Sequence, residues 1–276
     1  MTRVVTLCAD DYGTSRGVDA AIDELARRGR LSALSCLTNA PAWPTDGPRW
    51  AVPQAGVAVG LHFNLTEGRP LSDSLRARLP SLPTLPSCIV AAHLGRLPLA
   101  AIADELAAQW AAFVAATGRA PDFVDGHQHV HHLPGVRGIV LDWAQRQRPV
   151  PALRSTGRVL GPGALVKRLA IEWTGGCSLA RAIARASPPI ARNSALLGVY
   201  DFVDPNYRRL MRGWLARLPL AGGLIFCHPG QRSADGAGDA IAAAREREYA
   251  YLGSDDFAAD LEAADVTLAR GFGASI

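Results

Sequence analysis

The sequence predicts an α/β fold with parallel strands and helices packed outside them, and three observations carry that prediction. Short apolar runs alternate with helical stripes along most of the chain. Four of those runs lead straight into clusters of aspartate or histidine. The length of 276 residues, 49% of them hydrophobic and 20% charged, is enough to bury one large core. Strand ends on one rim of an α/β barrel or sheet converge, and that rim is where such folds carry their chemistry.

The elements follow in order. Residues 4–9 form the continuous apolar run of a buried strand and deliver the chain into Asp10-Asp11-Tyr12-Gly13. Adjacent residues of an extended segment point in opposite directions, so one carboxylate can bind a metal while the other handles protons. Alternatively, the pair caps the helix that begins near Arg16-Gly17. In that helix Val18, Ala21, Ile22 and Leu25 recur at helical spacing before a stop at Arg27-Arg28-Gly29. Residues 33–38 read as a second strand. Residues 57–61 read as a third, followed by His62 in His62-Phe63-Asn64-Leu65-Thr66.

Residues 67–98, rich in Pro, Leu and Ser, read as an extended excursion over the rim, a lid or binding loop. Ile102, Leu106, Trp110, Phe113 and Val114 make a helical stripe that ends at Gly118. Phe123-Val124 then enters a stretch, 125–132, that holds four of the seven histidines. Neutral imidazole is the commonest metal ligand, and several in one short loop can turn different nitrogens toward one ion. Val136, Ile139, Val140 and Trp143 predict another helix, and residues 151–154 a short strand. In 159–200, Lys167, Arg168, Arg181, Arg185 and Arg192 accompany Leu165, Leu169, Ile171, Trp173, Leu179 and Ile183. A solvated helix face is the first reading; a membrane-surface helix, a substrate contact or a subunit contact are the alternatives. Residues 224–227 form a last apolar strand ending at His228-Pro229-Gly230.

Composition excludes some classes. A net charge of +4 is too small to imply a nucleic-acid partner. No uninterrupted apolar run approaches the roughly 18 residues of a membrane span. The chain enters its first strand without a signal-peptide pattern, so a cytoplasmic location is expected. Five widely spaced cysteines indicate neither a disulfide framework nor a zinc knuckle.

Four motifs then carry a resemblance. Ala-Asp-Asp-Tyr-Gly at 9–13, Gly-Leu-His-Phe-Asn-Leu-Thr at 60–66, Asp-Gly-His-Gln-His-Val-His at 125–131 and Leu-Gly-Val-Tyr-Asp-Phe at 197–202 occur in one order along the chain. Together they resemble the YdjC-like (ChbG/HpnK) carbohydrate deacetylases. The resemblance implies an irregular (β/α) barrel similar to that of the polysaccharide deacetylases, formed as a single domain over 1–276 with rim insertions near 67–98 and 159–200. It implies one divalent metal ion held by Asp11, His62 and His127, with Asp10 as general base. Gln128 stands where the family often has histidine, and an amide is a poor ligand for a borderline metal. Zinc suits the ligand set best, although relatives are also described with magnesium.

The implied reaction removes an N-acetyl group from an acetylated amino sugar, the expected partner, giving amine and acetate. The metal would acidify a water and polarise the carbonyl. His228, which ends a separate strand and is not needed as a ligand, is the candidate acid for the leaving amine. Asp125 can fix a loop histidine's tautomer, and Arg154 can restrain a carboxylate. His129 and His131 alternate with His127 and can face substrate or support the ligands. Tyr12, Trp43, Trp110, Tyr200 and Tyr207 are candidates to pack on a sugar. Two other functions stay open, a metal-dependent phosphoesterase with a second ion and a non-catalytic sugar- or lipid-binding barrel, as does self-association.

Overall fold

Eight short strands, all paired in parallel, form one curled sheet in the computed structural model, which describes residues 2–269, 271 and 272. They are β1 (Arg3–Tyr12), β2 (Ala33–Cys36), β3 (Ala58–Phe63), β4 (Phe123–Gly126), β5 (Ala152–Leu153), β6 (Leu196–Leu197), β7 (Gly223–Cys227) and β8 (Val266–Leu268). Their order is β5-β4-β3-β2-β1-β7-β6, with β8 beside the start of β1. Single bridges tie β5 to the segment before β6 (Leu153 to Arg192) and β6 to the segment after β5 (Val159 to Leu196), so the sheet curls into an irregular half-barrel.

The helices are α1 (Arg16–Arg27), α2 (Trp43–Asp46), α3 (Asp73–Arg76), α4 (Leu85–His93), α5 (Leu99–Thr117), α6 (Val136–Arg146), α7 (Leu165–Ile171), α8 (Cys177–Ala184), α9 (Tyr207–Ala216), α10 (Ala242–Leu252) and α11 (Asp255–Ala263). The continuous apolar run of β1 has its reason in burial on both faces, since residues 5–12 are all buried. Three strands run one or more residues further than their apolar runs. His62 lies inside β3 and Asp125 inside β4 because the two pair with each other, and Asp10 and Asp11 lie inside β1 between its paired residues Ala9 and Tyr12. The cap of α1 is Ser15, whose Oγ accepts from Val18 N. Asp10 and Asp11 are therefore free of that duty.

The segment 67–98 differs from its expected extended form. It folds as α3 and α4, and its start is tied to α5 by Glu105, which accepts from Leu71 N at 3.0 Å, Ser72 N at 2.8 Å and Ser72 Oγ at 2.8 Å. One turn further along α5, Gln109 accepts from Asn64 N at 3.0 Å and donates to Asn64 O at 2.8 Å, fixing the backbone just after β3. By length and composition α5 is the one helix among the described residues apolar enough to cross a membrane, against the expectation that no segment reached that limit. That expectation counted uninterrupted apolar residues, and Asp104, Glu105 and Gln109 interrupt this helix. Ile102, Leu106, Trp110 and Phe113 are buried against the barrel, and Gly118 in the left-handed region (φ 69) ends the helix.

Glu105 thus holds two backbone donors of the rim insertion at full burial. Glu105→Ala should destabilise the protein by about 2 kcal/mol, the usual consequence of leaving buried N–H groups unpaired. Urea unfolding measures this, and a change below about 0.5 kcal/mol would show that the insertion does not depend on α5.

Candidate active site

The site is built where β1 breaks its regular geometry. The pairing of β1 with β2 shifts register between Ala9 and Tyr12, and Asp11 sits at φ 72. A non-glycine residue in that region is uncommon and costly, and it interrupts the alternation of side chains along a strand. Asp10 and Asp11 accordingly both line one cavity of about 720 Å³, where an unbroken strand would send them to opposite faces. Tyr12, expected near substrate, turns away instead. Its ring is fully buried between Trp43 and Trp50, and its hydroxyl donates to Asp46 O at 3.2 Å.

The two carboxylates have separate partners. Asp10 is clamped by Arg154, with Nη1 to Oδ2 and Nη2 to Oδ1 both at 2.6 Å. The same guanidinium reaches Asp125 Oδ2 at 2.5 Å. Asp125 Oδ1 accepts from Ser35 Oγ and from His62 Nδ1, each at 2.6 Å. That bond places the His62 proton on Nδ1 and leaves Nε2 to face Asp11 Oδ1 at 3.5 Å. His127 Nδ1 lies 3.0 Å from the same oxygen. Asp11, His62 and His127 thus bring one carboxylate and two imidazoles within 4.8 Å of one another, all buried. A divalent ion fits this donor set; it would displace one proton from each imidazole, and the bond from His62 Nδ1 to Asp125 leaves Nε2 as the ligand atom.

The histidine loop divides its duties. Gln128 (φ 51) and His129 (φ 64) are both left-handed and turn the chain sharply within residues 127–132. Gly126 permits the return, since a Cβ there would stand 2.7 Å from His131 N. His127 and His129 line the cavity, and the His129 ring meets Phe226 edge-on. His131 is withdrawn from the cavity: its Nε2–H donates to Arg154 O at 2.9 Å, bracing β5. His132 accepts from Thr156 Oγ1 at 2.9 Å and donates to Thr174 Oγ1 at 3.0 Å, the Thr174 hydroxyl itself donating to Ala170 O. Gln128 projects at the mouth and donates to Glu67.

His228 stands on the cavity wall after β7 with Nδ1 buried and unpartnered among the described residues. Phe202 and Phe226 meet its ring edge-on, and burial lowers its pKa to about 4. Its backbone N–H donates to Glu248 on α10, which also accepts from the Tyr200 hydroxyl; burial raises the Glu248 pKa to about 7. Of the aromatic candidates for sugar packing only Tyr200 lines the cavity. Trp43, Trp110 and Tyr207 are core residues.

Sequence reasoning missed Arg245, Glu67, Ser35 and Glu248. Arg245 Nη2 donates to Asp11 Oδ2 at 2.8 Å, and its Nε is paired with Asp239. It sits in the charged run Ala-Arg-Glu-Arg-Glu, which reads as a solvated helix and gives no sign that one arginine turns inward. Glu67 lies 3.1 Å from His127 Nε2, and its place directly after Thr66 was the available signal.

Against known proteins, a family model described as YdjC-like protein matches residues 4–263. A chitooligosaccharide deacetylase of Escherichia fergusonii is 36% identical over 151 residues, 53% of this chain and 58% of that protein. One of Yersinia enterocolitica is 34% identical over 148 residues, with the same two shares. The chain thus spans a little over half the length of the curated relatives it matches. A crystal structure from Enterococcus faecalis, described as a candidate cellobiose-phosphate cleavage protein, superposes with a TM-score of 0.72 at 19% identity, covering 98% of both chains. That likeness shows the fold.

Charge in this site alternates in sign, and its pH response follows. Burial alone would lower the pKa of His62 and His127, but the surrounding carboxylates overcome it and raise them to about 10 and about 9. Burial would raise Asp125, but Arg154 and then His62 bring it down to about 2. The imidazoles hold protons more tightly folded than unfolded. Their contribution to stability is complete below the unfolded value of about 6.5 and is lost as pH rises through their folded values. Asp125 contributes above the unfolded value of about 3.9 and ceases to as pH falls toward its folded one. Chelator-treated protein should therefore lose stability as pH rises from about 7 to about 10 and again as it falls below about 4. Urea midpoints across pH test this. His62→Gln and His127→Gln should flatten the alkaline limb, and a flat wild-type profile from neutral to alkaline pH would contradict the ion pairs.

Proposed function

The chain belongs to the YdjC-like protein family, and we propose that it is a metal-dependent hydrolase that removes the N-acetyl group from acetylated amino sugars. The observation that carries this reading is the convergence of Asp11, His62 and His127 beside the clamped Asp10 at one end of a cavity that has His228 on its wall. The names of the matching relatives support the substrate class, an N-acetylglucosamine oligosaccharide or conjugate. We read residues 1–276 as one deacetylase domain, with 67–98 and 159–200 as its rim insertions.

Asp11 Oδ1, His62 Nε2 and His127 would hold one divalent ion, zinc by the nitrogen-rich donor set, magnesium by the alternative. When bound, such an ion acidifies water and polarises a carbonyl. Arg154 orients Asp10 with both nitrogens, leaving each carboxylate oxygen a further lone pair with which to take the proton of an attacking water. Arg245 balances the charge of Asp11 and holds it in its left-handed position. Cleavage of the C–N bond needs a proton on the departing nitrogen, and His228 is placed to give it. Held near 4 by burial, the resting imidazole is neutral, so it would donate only after taking up a proton, which the attacking water supplies by way of Asp10 or solvent. Phe202, Phe226, Leu85 and Ile89 offer apolar faces to the sugar ring and the acetyl methyl.

The rival readings have less support. A phosphoesterase would use a second ion, and the other cluster of donors, Cys8, Asp10 and Asp125, already surrounds the Arg154 guanidinium. A non-catalytic barrel would not need to retain both Asp10 and His228.

Metal-replete protein should release acetate from N-acetylglucosamine oligosaccharides or conjugates and little from simple N-alkyl acetamides. Phosphate release from esters without any acetate release would overturn the deacetylase reading. Asp11→Ala, His62→Ala and His127→Ala should each lose bound metal in elemental analysis. Asp10→Asn should retain the metal and lose about 10²- to 10⁴-fold in turnover. His228→Ala should also retain the metal, with a smaller defect on substrates whose amine leaves easily.

A further inference from the structure

Helix α7 has no buried residue. Along it and the turn that follows, Trp173 is 86% exposed, Val166 80%, Leu165 57% and Leu169 49%, four large apolar side chains within nine positions. A soluble protein rarely leaves such a group uncovered without a use for it. The same segment supplies Lys167, Ala170, Ile171 and Thr174 to the cavity wall, so the exposed apolar face is continuous with the cavity's edge. In the same cavity α4 contributes Leu85 and Ile89 to the lining, with Val90 and, just past its end, Leu94 exposed.

Charge selects the occupant of this face. Residues 158–185 carry Arg158, Lys167, Arg168, Arg181 and Arg185 against the one acid Glu172, so the chain's whole formal charge of +4 resides in this stretch. Glu172 is turned inward, accepting from Val159 N at 2.7 Å. Lys167 Nζ is held at the cavity by Tyr200 O at 3.2 Å, lying 4.9 Å from the Phe202 ring centre. A protruding tryptophan and aliphatic side chains, accompanied by an excess of cations that outweighs the exposed Asp201 beside Lys167, match the interface of an anionic lipid layer. There the apolar side chains enter the acyl boundary and the cations meet the headgroups. An apolar protein partner would not call for the concentrated positive charge.

We propose that the α7 face docks the protein on an anionic lipid surface and sets the cavity mouth against it. Docking is peripheral and reversible, and it favours sugars carried on amphiphiles, whose heads lie in that plane. That last point rests on the deacetylase reading; the docking itself does not.

The test is co-sedimentation of the metal-replete, full-length protein with phosphatidylcholine vesicles, with and without phosphatidylglycerol, in the absence of substrate. The protein should bind the anionic vesicles, bind plain phosphatidylcholine far less, and be released by salt as the Debye length shrinks from about 10 Å toward about 3 Å. V166E/W173E, at two exposed positions outside the cavity lining, should lower the partition coefficient at least about tenfold while its circular dichroism and urea midpoint match wild type. The proposal is overturned if wild type fails to bind anionic vesicles at low salt, or if the double variant binds as well as wild type. It is also overturned if the substitutions dissolve a dimer of the protein while vesicle binding is absent, which would make a second copy the occupant. Because binding is read without turnover, failure of docking and failure of the deacetylase reading are separate results.

Discussion

The guanidinium of Arg154 lies at zero exposure between Asp10 of β1 and Asp125 of β4, ion-paired with both, and it is the main charge that holds the buried Asp125 carboxyl low, at about 2. The dependence continues outward. Asp125 orients His62, His62 and His127 face Asp11, and Asp11 is balanced on its far side by Arg245 from α10. Positive and negative groups therefore alternate across the rim, and no single pair can be judged alone. Removing one member leaves an uncompensated buried charge, the costly case for buried ion pairs. The proposed chemistry depends on the same network, because it keeps His62 Nδ1–H on Asp125 and sets how Asp10 is aimed.

Much of this was legible in the sequence. A parallel sheet buried on both faces writes itself as continuous apolar runs, and the residues that end those runs must meet on one rim. Asp10, Asp11, His62, Asp125, His127 and His228 could therefore be brought together from residue order alone. Two kinds of information were not legible. Backbone conformation at single residues was one: nothing in Asp-Asp-Tyr-Gly announces that Asp11 is left-handed, yet that one dihedral sends Asp10 and Asp11 into the same cavity and Tyr12 into the core. The inward turn of a helical side chain was the other. Arg245 and Glu248 lie on α10, where charged neighbours hide the face that packs against the barrel.

The histidine loop shows both limits together. Simple alternation groups His127, His129 and His131 on one side. Two consecutive left-handed residues break it, so that His127, His129 and His132 line the cavity while His131 is withdrawn to bond Arg154 O, and His132 also bonds the segment after α7. Residue type identified the loop as special, but only its backbone path divides the candidate ligand His127 from the brace His131.

The barrel is not equally strong around its circumference. The ladder between β1 and β7 is continuous and that between β1 and β2 is interrupted once, at the site, whereas β5 and β6 are two residues each and are tied to each other's flanking segments by isolated bridges on either side of a long insertion. Most polar groups that run the proposed chemistry are anchored on the well-laddered arc or on α10, and the insertion that shapes the cavity's outer wall hangs from the weak seam. Such a division lets the outer wall change in length and composition over evolutionary time without disturbing the charged network. For protein engineering, it marks the exposed face of α7 as the part to vary when the aim is to alter which molecules enter, while Thr174 and Asn193, which bond His132 and Ser155, are kept.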